Sequence, residues 1–243
     1  RGFPQVRTWL KVSKINFFSR ITNIFCSTAN CAELYVAGQN TSGVYKIDPD
    51  GLGAFCVYCN QSAAIGGWTV IQRRLNGFVN FNCSWCDYKH GFGNLNGEFW
   101  LGLDKINRLT WRTKNRLRVD LEFNSNNIIH YPYAEYDLFG VKSELDNYYL
   151  IIRGNSKGDA GNSLDRNNKV PFSTVDKDMS KDNCAHKYGA WWYPTDKCDC
   201  GNSSLNGKYK KKNALRWENW DKHIPDLSAT KSEMKIKPDC ART

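Results

Sequence analysis

The chain has 243 residues, with Lys+Arg 34 against Asp+Glu 24 and a formal net charge of +10. Hydrophobic residues make up 41% and aromatics 14%, which excludes wholesale disorder and leaves room for one large domain or two small ones. No apolar run approaches the roughly 18 residues of a membrane helix, which excludes a helical bilayer span.

The start at Arg1, without Met or a signal peptide, reads as a mature form or a cut fragment. Residues 1–25 carry Arg1, Arg7, Lys11, Lys14 and Arg20 and no acid. Trp9, Val12, Ile15, Phe18, Ile21 and Phe25 recur there at spacings of three and four. That pattern predicts a short basic amphipathic helix. We read it as the end of an upstream stalk or oligomerising segment; a membrane-surface or partner helix is the other reading. The main domain is placed at 26–243.

From Cys31 onward, short segments alternate with Gly, Asn and Asp. Strands are predicted at 44–47, 54–58, 68–73, 116–122, 128–133 and 148–152. Short helices are predicted within 94–109 and after Cys184. Residues 154–183 are rich in Gly, Asn, Asp, Ser and Lys. A loop of that length in a compact domain is functional or tied to an ion. There is no internal repeat. The balance predicts an α+β fold with an antiparallel sheet.

Ten cysteines stand at 26, 31, 56, 59, 83, 86, 184, 198, 200 and 240, and Asn-x-Ser/Thr sequons at Asn40, Asn60, Asn82 and Asn202. Together they point to an oxidising, secreted setting. Cys56-Val-Tyr-Cys59 and Cys83-Ser-Trp-Cys86 also resemble the paired ligands of a zinc ribbon. The gap between them is longer than ribbons show, and Cys83 lies inside a sequon, so disulfides are preferred. Spacing alone does not fix the pairing. The histidines at 90, 130, 186 and 223 are scattered. No serine elbow, zinc-protease helix or phosphate-binding Gly loop is present. The chain reads as a binding protein, not an enzyme.

One set of motifs is specific. Gly66-Gly67-Trp68-Thr69-Val70-Ile71-Gln72-Arg73-Arg74 is followed by Gly97-Glu98-Phe99-Trp100-Leu101-Gly102-Leu103. Later come Asn183-Cys184-Ala185, Gly189-Ala190-Trp191-Trp192-Tyr193, Leu205-Asn206-Gly207 and Ser232-Glu233-Met234-Lys235-Ile236-Lys237-Pro238. In order and spacing these resemble the fibrinogen-like C-terminal domain, from about Cys31 to Pro238. The resemblance implies a twisted antiparallel sheet with short helices and a loop-rich, calcium-bearing C-terminal part. It implies disulfides Cys31–Cys59 and Cys184–Cys200. A ficolin-type extra pair would join Cys26 to Cys56.

The resemblance also assigns a site. Asp176-Lys177-Asp178-Met179-Ser180-Lys181-Asp182 would hold a structural Ca²⁺. The Asp176 and Asp178 carboxylates and the Ser180 and Asp182 carbonyls would supply oxygens, which calcium prefers. A solvated charged loop is the other reading of such a run. Tyr188 occupies the position of an aromatic wall in the acetyl-binding pocket of ficolin-like members. Other pocket positions depart. Gly201 stands where the pattern has His, Lys211 and Lys212 fall on a usual Tyr-Ala, and His223 falls on an aromatic. Lysines cannot replace aromatic stacking. Lys208, Lys211 and Lys212 instead suggest a positive rim for an anionic ligand. The expectation is a secreted, calcium-stabilised recognition module binding a glycan or anionic surface, lectin-like and defensive. The alternatives are a protein-binding module of angiopoietin or tenascin type, or a polymerising structural subunit. Nucleic acid is not an expected partner; a homo-oligomer through an upstream segment is.

Overall fold

The computed structural model describes residues 28–62, 66–154, 157–209, 215–220 and 228–239. The basic stretch 1–25, Cys26, Lys211, Lys212, His223 and Cys240 therefore lie outside the described residues. In sequence order the elements open with α1 (Cys31–Val36), β1 (Gly43–Ile47), β2 (Phe55–Asn60) and β3 (Trp68–Arg74). Next come α2 (Trp85–His90), β4 (Phe92–Gly93), β5 (Phe99–Trp100) and α3 (Leu103–Trp111). The long strands β6 (Asn115–Ser125), β7 (Ile128–His130), β8 (Tyr133–Val141) and β9 (Leu150–Arg153) follow. The loop-rich part holds β10 (Phe172–Ser173), α4 (Cys184–Tyr188), β11 (Trp191–Trp192), β12 (Ser203–Ser204) and β13 (Arg216–Trp217), and β14 (Lys231–Pro238) is the last element.

The main sheet runs β1-β2-β3-β14-β6-β8-β9, with antiparallel pairings throughout. The last strand thus sits in the middle, between β3 and β6. Glu233 lies opposite both Arg73 and Asp120. Strand β6 alternates buried and half-buried residues along most of its length, as a sheet with one covered face requires. Strand β3 is buried at every position, because its other face is covered too. Gln72 and Arg74 point into the loop-rich part. Gln72 Nε2 donates to the Leu205 carbonyl at 3.0 Å, and Arg74 Nη1 to the Gly207 carbonyl at 2.8 Å.

Two helices were not expected from the pattern. Helix α1 is capped by Asn30, whose side chain accepts from Ala32 and Glu33 N–H. Helix α2 has a full capping box between Ser84 and Asp87, the reciprocal pairing that satisfies orphan N–H groups at a helix start. The strand predicted at 128–133 is two strands. Asn126 and Asn127 turn through positive φ, and Pro132, which has no N–H to give a ladder, separates β7 from β8. The strand predicted from 148 begins at Leu150, because Asn147 and Tyr148 both take left-handed backbone.

The Cys31–Cys59 disulfide joins α1 to β2, and Cys184–Cys200 closes the segment after the acidic loop. Both Cα–Cα separations are 5.5 Å, within the range a disulfide spans. This removes the first zinc pair. Cys59 is oxidised, and Cys56, three residues away on the same strand, faces solvent on the opposite side. Cys56, Cys83, Cys86 and Cys198 form no disulfide with any described residue. The Cys26–Cys56 expectation has one partner outside the described residues.

The core beneath the sheet continues into the loop-rich part. Trp192 Nε1 donates to the Tyr148 carbonyl, Trp217 Nε1 to Ala160 and Trp100 Nε1 to Tyr88. Each of these buried indoles therefore has a partner, as burial of a polar N–H demands. No described helix is long and apolar enough to cross a membrane.

Candidate recognition site

Four backbone N–H groups fix the chain where it leaves β3. Glu98 Oε1 accepts from Leu75, Asn76 and Gly77, and Oε2 from Val79. Arg74 lies 3.8 Å from the same carboxylate, with both side chains almost fully buried. The Arg74 guanidinium also covers the Phe81 ring at 3.9 Å. This clip locks residues 75–79 and, through Arg74, the 205–207 segment.

The acidic loop starts from β10. Thr174 N–H donates to the Lys177 carbonyl and Lys177 N–H to the Thr174 carbonyl. The Asp176 carboxylate accepts from the Trp85 N–H, and Lys177 Nζ lies 3.7 Å from the Trp85 ring centroid. Asp178 Oδ1 accepts from Ser180 N and Oγ, and Oδ2 from Ala185 N in α4. Ser180 Oγ accepts from the Cys184 N–H at 2.8 Å. The loop thus sets both the start of α4 and the bridge cysteine.

The donor set fits a hard cation. Among the described residues, the Ser180 and Asp182 carbonyls accept no backbone hydrogen bond. Thr174 Oγ1, at the loop entrance, is buried without a partner. The candidate donors are all oxygens, the kind calcium takes. The Asp182 carboxylate is engaged with Lys187 Nζ at 2.7 Å, so its carbonyl is the atom it has to offer. Asp182 also clusters with the sulfurs of Cys184 and Cys200. Those sulfurs are joined in a disulfide, and only thiolates bind metal well, so this cluster is not a soft-metal site.

Tyr188 ends α4 and is half-buried. Ser204 Oγ donates to its carbonyl at 2.8 Å. The Arg216 guanidinium lies 4.3 Å from the Tyr188 ring centroid and donates from Nη2 to the Cys200 carbonyl. Glu218 Oε1 is 3.1 Å from Arg216 Nε, but off the N–H direction, so Nε makes no hydrogen bond. The structure therefore brings together Tyr188, the Cys200–Gly201 turn and Arg216.

Gly201 is buried and packs under the Asn167 amide. Its φ is +67°, and a Cβ there would collide with the Asn167 side chain. Asn167 is itself committed, donating to Trp192 O and accepting from Asn202, Ser203 and the Ser203 hydroxyl. Gly201 is thus a packing position, and the histidine of the resembled pattern has no room here. Lys208 is exposed, and no described contact joins it to Tyr188. Arg216 is the residue that sequence reasoning passed over. Its signal was a charge placed between Leu215 and Trp217 in a short apolar strand.

The sequons separate by geometry. Asn40 and Asn82 are exposed. Asn60 Nδ2, the atom a glycan would take, donates to Glu233 Oε1 at 3.1 Å. Asn202 is half-buried beside Glu218, whose N–H donates to its carbonyl. A separate groove of about 280 Å³ lies at the sheet end between Leu75, Leu121, Tyr131 and Lys231.

Comparison with known proteins gives a consistent result. A family model described as fibrinogen beta and gamma chains, C-terminal globular domain, matches residues 27–239. Angiopoietin-related protein 7 of Bos taurus is 41% identical over 226 residues, covering 86% of this chain and 62% of that protein. Tenascin-R of Homo sapiens is 38% identical, covering 96% of this chain and 17% of that protein. The sequence therefore spans only part of each relative. The fibrinogen-like globe domain of human ANGPTL6 superposes with a TM-score of 0.77 at 39% identity, covering 87% of this chain and 95% of that one. Lamprey fibrin D-dimer, complexed with the peptide ligand Gly-His-Arg-Pro-amide, superposes at 0.78 with 31% identity, covering 89% and 75%.

Proposed function

The protein belongs to the fibrinogen-like family, that of the C-terminal globular domain of the fibrinogen beta and gamma chains, and from that premise we propose that it is an extracellular recognition module that binds a protein partner. The binding face is the surface formed by Tyr188, the Cys200–Gly201 turn and β13. One observation carries the choice of protein over acetylated sugar. The Tyr188 ring is covered by the Arg216 guanidinium, and Gly201 leaves no room for a histidine donor. An acetyl pocket needs an open aromatic wall, and Arg216 already takes one face of this one. Relatives named as angiopoietin-related proteins and tenascins, and a solved neighbour holding a peptide, support the same reading. The two disulfides support an oxidising, extracellular setting.

Calcium belongs to this reading as a structural ion. Asp176, Asp178 and the carbonyls of Ser180 and Asp182 would hold it. Its positive charge would gather these oxygens and stiffen the loop. The protein's own contribution is the set of links from that loop to α4 and Cys184. Binding to anionic glycans is the competing reading, favoured by the net charge of +10 and the exposed Lys208.

Screening the folded domain against a panel of extracellular ectodomains and a glycan array decides between them. The expected result is a protein partner whose binding falls at least tenfold in Tyr188→Ala, since buried aromatics anchor interfaces. Binding confined to glycans, or a partner indifferent to Tyr188→Ala, would contradict the proposal.

A further inference from the structure

Arg216 is only 7% exposed. A guanidinium has five N–H donors. Among the described residues Arg216 places one of them, on the Cys200 carbonyl. Its Nε is buried and without a hydrogen bond. Burying a cation with donors unmet is costly, so such groups are normally paired. The neighbouring cations are paired: Lys187 with Asp182 at 2.7 Å, and Arg166 with Asp199 at 2.8 Å. Arg216 has a carboxylate neighbour as well, Glu218 at 3.1 Å from Nε, but the pair is off axis and Nε makes no hydrogen bond.

We propose that Arg216 makes this surface selective for a carboxylate side chain of an acidic polypeptide, which would take the place that Glu218 fills imperfectly. The inference rests on the reading of this face as the binding surface. The chemistry follows from the guanidinium's shape. Its donors lie in its plane and match a carboxylate in a two-pronged pair. Stacking on Tyr188 holds that plane, and Glu218 lies against its Nε edge. Glu218 is 49% exposed on its side chain and lies 3.1 Å from Nε, off axis. It is a resident carboxylate that can swing into solvent when a better-aligned one arrives. A polypeptide is favoured over an acidic sugar because Arg216 already takes one face of the Tyr188 ring, leaving less of it for sugar stacking.

The test pans a displayed library of random linear peptides against the disulfide-intact domain, then titrates the recovered peptides. Recovered sequences should be enriched in Asp and Glu. Arg216→Gln should weaken their binding by about tenfold or more, and Arg216→Lys should restore part of it, because lysine keeps the charge without the fork. Glu218→Gln should tighten binding by roughly threefold, by removing the competing carboxylate. Misfolding cannot produce that opposite change. Recovery of neutral or basic peptides that depend on Tyr188 would overturn the acidic selectivity and leave the protein-binding reading standing. Binding of soluble polygalacturonate with no acidic peptide recovered would assign the carboxylate to a glycan and overturn the proposal. Unchanged binding in Arg216→Gln, or weaker binding in Glu218→Gln, would overturn it as well. A library that yields no peptide overturns it too, while the ectodomain panel separately judges the broader reading.

Discussion

Replacing Glu98 by Gln is expected to destabilise the domain by about 3–5 kcal/mol, the scale of breaking a buried charge pair. The carboxylate accepts four backbone N–H bonds from residues 75–79 and faces the buried Arg74. Glutamine keeps the shape but puts an NH₂ against N–H donors and leaves Arg74 without its counter-charge. For a domain of this size the cost corresponds to a fall in Tm of roughly 6–20 °C. Acid should act in the same direction. Burial pushes the Glu98 carboxyl up, but the backbone N–H donors from Val79, Leu75, Gly77 and Asn76 outweigh it and hold the group below the ordinary value of 4.5. A depressed carboxyl contributes stability above its unfolded value and loses it as pH falls through the folded one. Denaturant melts from about pH 7 down to about pH 3 should show the wild type losing stability below about pH 4.5, with a flatter profile in Glu98→Gln. A loss smaller than about 1 kcal/mol at neutral pH, the ordinary cost of a point change, would show that the clip is not what holds this end of the sheet.

Chelating calcium is expected to have the second-largest effect. An ion that binds only the folded state adds about 2.7 kcal/mol when present at 100 times its Kd. The wild-type domain should then lose roughly 5–10 °C in Tm on addition of chelator. Asp178→Asn should melt at the same temperature with and without chelator. It should also lie below the chelated wild type, because Asp178 itself holds Ser180 and the Ala185 N–H. A wild type whose melting ignores both calcium and chelator would remove the ion from the account and leave the loop held by its own hydrogen bonds.

Much of this fold is legible in the sequence, and the reasons differ by element. The stretch Trp68–Arg74 is dense in apolar and β-branched residues, and the structure buries all of it. The closing strand Lys231–Pro238 can be identified by its motif, but its central place between β3 and β6 cannot. Strand order depends on long-range pairing that no local pattern encodes. Helix α2 carries a readable capping box in Ser84 and Asp87, overshadowed by the metal-like spacing of the flanking Cys83 and Cys86. The break at Pro132 is equally readable. At the site, Tyr188 and the acidic loop follow from the resemblance. Arg216 does not, because its meaning comes from a ring 28 residues earlier in the sequence. Gly201 looks like a missing ligand donor, and only the packed Asn167 shows it to be a required absence of side chain.

Hydrogen-exchange mapping of the calcium-loaded domain, alone and with the ectodomain recovered from the panel, tests the central claim most directly. The account predicts slowed exchange on binding at 184–188, 200–204 and 215–218, the segments that carry Tyr188, the Cys200–Gly201 turn and Arg216. Slowed exchange confined to the other groove, at residues 73–75, 120–122 and 231–233, would place recognition in that groove and contradict it.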